Sequence, residues 1–149
     1  MSGEVDETLL GKLIAEARRS RANAYAPYSS YRVGAAIATE DGRIFSGCNV
    51  ENASYGATVC AERNAIGAMI VAGASKPIAC AIVTGGSKPG SPCGMCRQVL
   101  VEFTRDMPVV LVAESDLVPA STGEHPIGDV RRDTTLAELL PDVFELEPG

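Results

Sequence analysis

The sequence predicts an α/β fold, a three-layer α/β/α sandwich built around a mixed sheet. Three observations lead to this prediction: an amphipathic helical period at the start, a strand–turn–strand pattern after it, and a middle region that alternates between helical segments and short apolar runs. The order helix, hairpin, helix, strand, helix, strand is typical of chains whose helices pack on the faces of one sheet.

The first predicted element is a helix from Asp6 to Ala24. Apolar side chains recur there at helical spacing, and the helix is expected to end before Pro27 because proline cannot continue it. The apolar face consists of Leu9, Leu10, Leu13, Ile14 and Ala17.

A β-hairpin is predicted next. Alternation from Tyr31 to Ala35 indicates the first strand, and Arg43 to Asn49 indicate the second. The segment between them ends in Asp41-Gly42, a dipeptide that hairpin turns favour.

The middle of the chain alternates between helices and strands. Helices are predicted from Cys60 to Val71, where Gly73 closes the helix, and from Cys93 to Phe103. The short apolar runs from Ile78 to Thr84 and from Pro108 to Ala113 predict buried strands.

Three further segments complete the prediction. Leu117 to Asp133, rich in proline and glycine, is expected to be one long loop, and Thr135 with Glu138 resembles a capping box that opens a short last helix. The segment from Gly85 to Gly90 lacks the spacing of a phosphate-binding loop and is interpreted as a plain turn.

Length and cysteine usage indicate one domain in a reducing compartment. A chain of 149 residues suits a single domain spanning residues 1–149. Five cysteines, with Cys93 and Cys96 at metal-ligand spacing, do not resemble a disulfide framework. The longest apolar run, from Ala65 to Ala74, is about half of the roughly 20 residues that a membrane span needs. We therefore expect a cytoplasmic protein with no membrane partner.

The charge of the chain argues against a nucleic-acid partner. The net charge is −6 and there is no Trp, whereas a protein that binds a polyanion needs a basic surface. The nearest approach to a basic cluster is Arg18, Arg19 and Arg21, which we interpret as a solvated helix face.

Two short segments have the composition of a catalytic zinc site. Cys60 and Glu62 lie in one, and Cys93 and Cys96 lie in the other. Catalytic zinc takes three protein ligands and leaves a fourth position for water, a count that three cysteines satisfy. Glu62 stands two residues after a ligand, where it can reach the water as a general base without binding the metal.

Two arginines follow these cysteines directly. Three thiolates on Zn²⁺ sum to −1, which weakens the pull of the metal on its water. The positive ends of the two predicted helices are expected to offset this charge. Arg63 and Arg97 are candidates to donate hydrogen bonds to the sulfurs and to have the same effect.

The same cysteines are compatible with other kinds of site. Cys93 and Cys96 alone could equally be a redox pair or half of a structural zinc site. A zinc-stabilised interaction module would need a fourth protein ligand such as Cys48, Cys80 or His125. We expect Cys48 and Cys80 to be ordinary buried thiols and His125 to be solvent-exposed.

Three segments that include these cysteines resemble the homotetrameric cytidine deaminases of nucleoside salvage. The likeness extends to Pro27–Ser29, Val33–Ala36 and the C-terminal region with Phe144, so it covers nearly the whole chain. The segments that carry it are Gly47–Tyr55, Val59–Arg63 and Ser91–Leu100.

The resemblance implies a cytidine deaminase-like fold and a hydrolytic reaction. Zinc, one per chain, would activate the water that attacks C4 of cytosine. Glu62 would carry the proton to N3 and then to the leaving amine, so that cytidine and deoxycytidine become uridine and deoxyuridine with release of ammonia.

The resemblance also implies how a nucleoside is held. Asn49 and Glu51 would bind the ribose hydroxyls, the backbone at Ala61 would meet the base, and Tyr31 would line the base pocket.

The family pattern further implies a homotetramer with shared active sites. Tyr55 and Phe144 would reach into the site of a neighbouring subunit. Two departures, the long loop after Leu117 and the small residues Gly67 and Ala68 on the zinc helix, bear on subunit contacts and on the pocket rim.

Three alternatives remain beside this hypothesis. An aminonucleoside antibiotic deaminase of the blasticidin type would use the same zinc chemistry, but Asn49 and Glu51 favour a free nucleoside. An editor of polynucleotide cytosine is disfavoured by the acidic charge. A non-catalytic zinc-stabilised module is the third alternative.

Overall fold

The computed structural model describes residues 4–114 and 129–148. These residues form one five-stranded sheet with the strand order β2-β1-β3-β4-β5. The helices are α1 (Glu7–Arg21), α2 (Ala61–Val71), α3 (Gly94–Val101) and α4 (Leu136–Leu139). The strands are β1 (Val33–Thr39), β2 (Ile44–Cys48), β3 (Pro77–Gly85), β4 (Pro108–Glu114) and β5 (Val130–Thr135).

The sheet is mixed, as the sequence predicts. Strand β1 is antiparallel to both β2 and β3, β3 and β4 are parallel, and β5 is antiparallel to β4. Helix α3 connects the parallel pair, because two parallel strands need a crossover rather than a tight turn. The parallel pair places the carboxyl ends of β3 and β4 at the same edge of the sheet.

Apolar cores lie on both faces of the sheet, so the predicted three layers are present. Helix α1 covers one face, while α2, α3 and α4 cover the other. Neighbouring residues of β1 therefore point into different cores: Ala35 and Ile37 into one, Ala36 and Ala38 into the other. A strand buried on both faces has no polar side, which explains its run of small apolar residues.

Local sequence signals set the element boundaries. Asp6 caps α1, since its Oδ1 accepts a hydrogen bond from the Leu9 amide at 2.9 Å. Gly42 has φ +87° in the β1–β2 turn, a conformation that glycine adopts without steric cost. At α4, Thr135 Oγ1 accepts from the Glu138 amide at 3.2 Å, which is one half of the expected capping box.

A close contact between α2 and β2 depends on glycine. A Cβ at Gly47 would lie 2.5 Å from both the Ala61 carbonyl oxygen and the Ala65 amide nitrogen. Helix α2 can therefore approach the sheet closely only because position 47 has no side chain. This contact fixes the start of α2, the segment that carries Cys60 and Glu62.

The predicted loop from Leu117 to Asp133 is wrong at its C-terminal end. Val130–Asp133 belong to β5, while residues 117–128 lie outside the described residues. The strand was missed because its exposed edge position allows Arg131, Arg132 and Asp133, so it shows little apolar alternation.

The interpretation of Arg18, Arg19 and Arg21 as a solvated face is also wrong for two of the three. Arg18 is 1% exposed, and both it and Arg21 pair with the buried carboxylate of Glu114 at 2.6 Å. Glu114 is the last residue of β4 and lies beneath α1. Its carboxylate therefore compensates the charges of the two buried arginines. Arg19 is exposed and pairs with Glu16 on the same helix, as a solvated residue would.

None of the helices within residues 4–114 and 129–148 has the length and apolar character that crossing a membrane requires.

Candidate active site

The site lies where the two central helices begin. Cys60 is the N-terminal cap of α2 and Cys93 is the N-terminal cap of α3. Both caps lie near the carboxyl end of β3, where Thr84 lines the same cavity as the two cysteines. In α/β folds, crevices at this end of the strands are common binding sites, because helix N-termini converge there.

The sulfur atoms of Cys60, Cys93 and Cys96 come together in a single cluster. All three lie within 4.8 Å of one another, with Sγ–Sγ distances of 3.9 Å between Cys60 and Cys93 and 3.4 Å between Cys93 and Cys96. Tetrahedral zinc with Zn–S bonds of about 2.3 Å places its sulfurs about 3.8 Å apart. The cluster therefore fits one zinc ion.

The cluster has three members among the described residues, and this number distinguishes a catalytic zinc site from a structural one. Cys80 lies on β3 as a fully buried thiol in the core, as expected, whereas Cys48 on β2 is only half-buried. Neither belongs to the sulfur cluster, and His125 lies outside the described residues. A fourth coordination position remains for water, which is the arrangement of catalytic rather than structural zinc.

Both helix N-termini point at the cluster. The carbonyls of Cys60 and Cys93 accept the first helical hydrogen bonds from the amides of Asn64 and Arg97 at 3.1 and 3.0 Å. Neither cysteine side chain caps its own helix, so both sulfurs are available to a metal. The partial positive charge at each helix start stabilises the negative charge of nearby thiolates.

Arg63 lies against the first ligand candidate. Its Nη2 donates to Cys60 Sγ at 3.7 Å and to the Thr58 carbonyl at 3.1 Å. Hydrogen bonds from the Cys96 thiol and from Arg63 lower the pKa of Cys60 to about 5. Cys60 therefore favours the thiolate form, which is the form that binds zinc.

Arg97 has different partners from those predicted. Its Nε donates to the Pro92 carbonyl at 2.8 Å and its Nη1 donates to the Leu139 carbonyl at 2.6 Å. Among the described residues the expected hydrogen bond from Arg97 to a sulfur is absent. The two carbonyls satisfy the guanidinium instead, so Arg97 ties the loop before Cys93 to the end of α4.

Glu62 is the buried carboxyl group of the site. It is 4% exposed, on the first turn of α2, and it lines the same cavity as Cys60 and Cys93. Burial raises the pKa of Glu62, and a hydrogen bond from Cys96 partly offsets that rise. A carboxyl group with a raised pKa is well suited to accept a proton and then return it.

A cavity of about 240 Å³ opens in front of these groups. Most of its lining is apolar, and the polar side chains of Asn49, Glu51 and Glu62 also contribute to it. Residues of this lining that the sequence analysis named are Tyr31, Asn49, Glu51, Cys60, Ala61, Glu62 and Cys93. A larger hollow of about 340 Å³ lies at the far end of β1, beside the Asp41 turn, and contains neither a cysteine nor a buried carboxylate.

The two predicted sugar anchors, Asn49 and Glu51, both line this cavity. Asn49 Oδ1 accepts from the Val33 amide at 2.9 Å, and its Nδ2 donates to the Tyr31 carbonyl at 2.8 Å. Glu51 accepts from the Tyr28 and Ser29 amides and from the Ser29 hydroxyl. The hydrogen bond from the Ser29 hydroxyl is the main cause that lowers the pKa of Glu51. Glu51 is therefore ionised at neutral pH.

Tyr55 and Phe144 lie outside the lining of this cavity. Tyr55 is 78% exposed and packs edge-to-face on Tyr28, with ring centroids 6.2 Å apart. Phe144 is 69% exposed in the C-terminal segment, where Gln98 Nε2 donates to its carbonyl at 3.2 Å. The structure thus does not bring either ring to the sulfur cluster of its own chain.

The cavity also contains residues that the sequence analysis did not assign to it. Small and hydroxyl side chains predominate among them, and no spacing rule distinguishes such residues from ordinary loop positions. They are Ser29, Val33, Thr58, Ile82, Thr84, Gly90, Ser91 and Pro92.

Comparisons with known proteins agree with this geometry. The family model for the cytidine and deoxycytidylate deaminase zinc-binding region matches residues 6–113. A cytidine deaminase of Sporosarcina psychrophila is 44% identical over 137 residues, covering 91% of each chain. A cytidine deaminase of Mycobacterium tuberculosis is 41% identical over 131 residues, covering 88% of this chain and 86% of the relative.

Solved structures of cytidine deaminases are also similar to this chain. The crystal structure of a cytidine deaminase from Burkholderia pseudomallei matches with a TM-score of 0.76 and 40% identity, covering 94% of this chain and 100% of that chain. A cytidine deaminase structure from Mycobacterium tuberculosis matches with a TM-score of 0.73 and 38% identity, covering 96% and 100%.

Proposed function

Because this chain belongs to the family of cytidine and deoxycytidylate deaminases that carry a zinc-binding region, we propose that it deaminates free cytidine and deoxycytidine. The reaction adds water at C4 of cytosine, releases ammonia and leaves uridine or deoxyuridine. The observation that carries this proposal is the buried carboxyl of Glu62 in one cavity with Cys60 and Cys93, beside a three-sulfur cluster sized for zinc.

The metal and Glu62 have separate roles in this reaction. Zinc, when bound by Cys60, Cys93 and Cys96, supplies the Lewis acidity that makes water a nucleophile at neutral pH. Glu62 takes the proton of the attacking water, delivers it to N3 of the base and later assists protonation of the leaving amine. The low polarity around this buried carboxyl raises its proton affinity and supports both transfers.

Asn49 and Glu51 retain hydrogen-bonding capacity for ribose hydroxyls. A side-chain amide has two N–H donors and two acceptor lone pairs, and the backbone uses one of each at Asn49. An ionised carboxylate has about four acceptor positions, of which three are used at Glu51. One acceptor position on each residue is therefore free for a sugar hydroxyl.

The substrate class is tested with a panel of cytosine compounds. Cytidine and deoxycytidine should both turn over. Free cytosine should be a worse substrate on the order of 10⁴-fold, because it leaves the polar groups of Asn49 and Glu51 unpaired. A 5′-phosphate should be disfavoured by the negative charge of Glu51, and single-stranded DNA should be disfavoured by the net charge of −6. The measurement is loss of the 4-amino chromophore with ammonia release.

A control variant sharpens this test. Glu51→Ala should lose most of the preference for nucleoside over free base, whereas Glu40→Ala, an exposed change at the far end of β1, should keep it. Deamination of oligonucleotide cytosine as readily as cytidine would contradict the salvage assignment and favour polynucleotide editing.

We also propose a homotetramer in which neighbouring chains complete each site. The support is the exposure of Tyr55 and Phe144, two large aromatic side chains that stand away from the cavity of their own chain. Exposed aromatic side chains are enriched in protein interfaces.

The sharing of sites is tested by mixing two inactive or weakened proteins. Phe144→Ala should raise KM through a lost apolar contact, and Glu62→Gln should lack turnover. In mixed assemblies some sites combine an intact Glu62 with the Phe144 of a neighbour, so activity should exceed the sum of the two proteins measured apart. Additive activity, or a monomer that is active in sedimentation at micromolar concentration, would contradict the proposal.

We further propose that residues 1–149 act as a single domain and that the protein works in the cytoplasm. One sheet with apolar cores on both faces supports the single domain. The unpaired cysteines of the described residues support the location, since free thiols suit a reducing compartment.

A further inference from the structure

Gly90 and Tyr31 face each other in the cavity that contains Glu62. A Cβ at Gly90 would stand 2.3 Å from the Tyr31 hydroxyl oxygen and 3.0 Å from Thr84 Cγ2. A carbon atom cannot approach an oxygen to 2.3 Å without a bond. The tyrosine hydroxyl therefore occupies the space that a side chain at position 90 would fill.

The backbone gives no other reason for glycine at this position. The glycines with positive φ among the described residues are Gly42, Gly73 and Gly86. Gly90 does not share their conformation, so an alanine there suits the backbone. The cost of a side chain at position 90 arises mainly at Tyr31, whose hydroxyl is the nearest contact.

Hydrogen bonds hold the backbone of Tyr31 at the cavity, while the residue itself is 46% exposed. Its amide donates to Ser29 Oγ at 2.9 Å, and its carbonyl accepts from Asn49 Nδ2 at 2.8 Å. The preceding residue, Ser30, has φ +58°, a left-handed conformation that is uncommon for serine. Such conformations persist where the surroundings impose them, and they cluster at functional sites.

The backbone of Gly90, which lines the same cavity, is also held by a hydrogen bond. Its amide donates to Thr84 Oγ1 at 3.0 Å, and Thr84 is a buried residue of β3. Hydrogen bonds thus hold the backbone at both positions, and the Tyr31 hydroxyl lies where a Gly90 side chain would begin.

We propose that Gly90 is a positioning residue for Tyr31, and that the contact between the two sets the width of the nucleoside pocket. The inference rests on the proposed function in that it takes this cavity as the place where the nucleoside binds. A methyl group at position 90 and a hydroxyl group at position 31 compete for one space. Gly90→Ala should therefore displace the tyrosine ring, and removal of the hydroxyl should relieve the conflict.

The test is a double-mutant cycle on cytidine deamination with wild type, Gly90→Ala, Tyr31→Phe and the double variant. Gly90→Ala should raise KM about tenfold in the wild-type background, with a smaller change in kcat. In the Tyr31→Phe background the same change should alter KM by less than about twofold, because the methyl group occupies the vacated space.

Two further measurements distinguish a change in pocket width from a loss of folding. Gly90→Ala should remain folded, with a thermal midpoint close to that of the wild type. Gly11→Ala on α1, where a Cβ meets nothing within 4 Å, is the control: it should keep the wild-type KM and melt at or above the wild-type temperature, because alanine favours a helix more than glycine does. If Gly90→Ala unfolds, the double variant should recover both the midpoint and KM.

An equal effect of Gly90→Ala on KM in both backgrounds would overturn the proposal, as would an unchanged KM in the single variant. Loss of folding in the double variant as severe as in Gly90→Ala alone would also overturn it. Wild-type turnover of cytidine tests the proposed function separately, because it does not depend on position 90 being coupled to position 31.

Discussion

Glu62→Gln is expected to retain zinc and to lose deamination by at least 10² to 10⁴-fold, the range typical of a removed general acid or base. Glutamine has nearly the same shape as glutamate but cannot take a proton from water. Because Glu62 is buried beside the sulfur cluster, no bulk water can substitute for it efficiently. The measurements are zinc content per chain and kcat with cytidine.

A matched variant controls for the loss of one acidic residue. Glu102→Gln removes an exposed carboxylate at the end of α3 and should leave kcat unchanged. Turnover by Glu62→Gln above about a tenth of the wild-type value would show that Glu62 is not the proton carrier.

Cys96→Ala is expected to abolish zinc binding and, with it, all measurable turnover. The substitution removes one of three thiolates from a cluster whose sulfurs lie within 4.8 Å of one another, and the remaining two are too few for a catalytic zinc site. Metal content should fall from one zinc per chain to almost none.

Stability should fall together with metal content. A ligand that binds only the folded protein stabilises it by about 4 kcal/mol when its concentration is about 1,000 times its Kd. Wild-type protein treated with a chelator should therefore melt at the temperature of Cys96→Ala. Cys48→Ala, which removes a half-buried thiol outside the cluster, should keep zinc and turnover. Stoichiometric zinc in purified Cys96→Ala would exclude the three-cysteine assignment.

The helices and the hairpin were predictable because their signals are local. The cap at Asp6, the apolar period of α1 and the Asp41-Gly42 turn each act within a few residues of themselves. The edge strand β5 was not predictable in this way, since Arg131 and Arg132 are compatible with a strand only when β4 supplies the hydrogen bonds.

The candidate site was also predictable in part from local sequence. Cysteine and glutamate at characteristic spacing indicated a zinc-dependent hydrolytic centre, because metal ligands and general bases require particular chemical groups. That inference needed only residue types and distances along the chain. These features select Cys60, Glu62, Cys93 and Cys96 as the candidate residues.

Contacts between distant segments could be found only in the folded chain. Arg18 is buried because the end of β4 places Glu114 beneath α1, and Arg97 donates to the Leu139 carbonyl because α4 ends beside α3. Gly90 meets Tyr31 because β1 and β3 are neighbours in the sheet, so that Val33 pairs with Thr84. The type of a residue limits which groups its side chain can bind. Which partner it meets depends on how distant segments pack together, and the sequence near the residue contains no information about that packing.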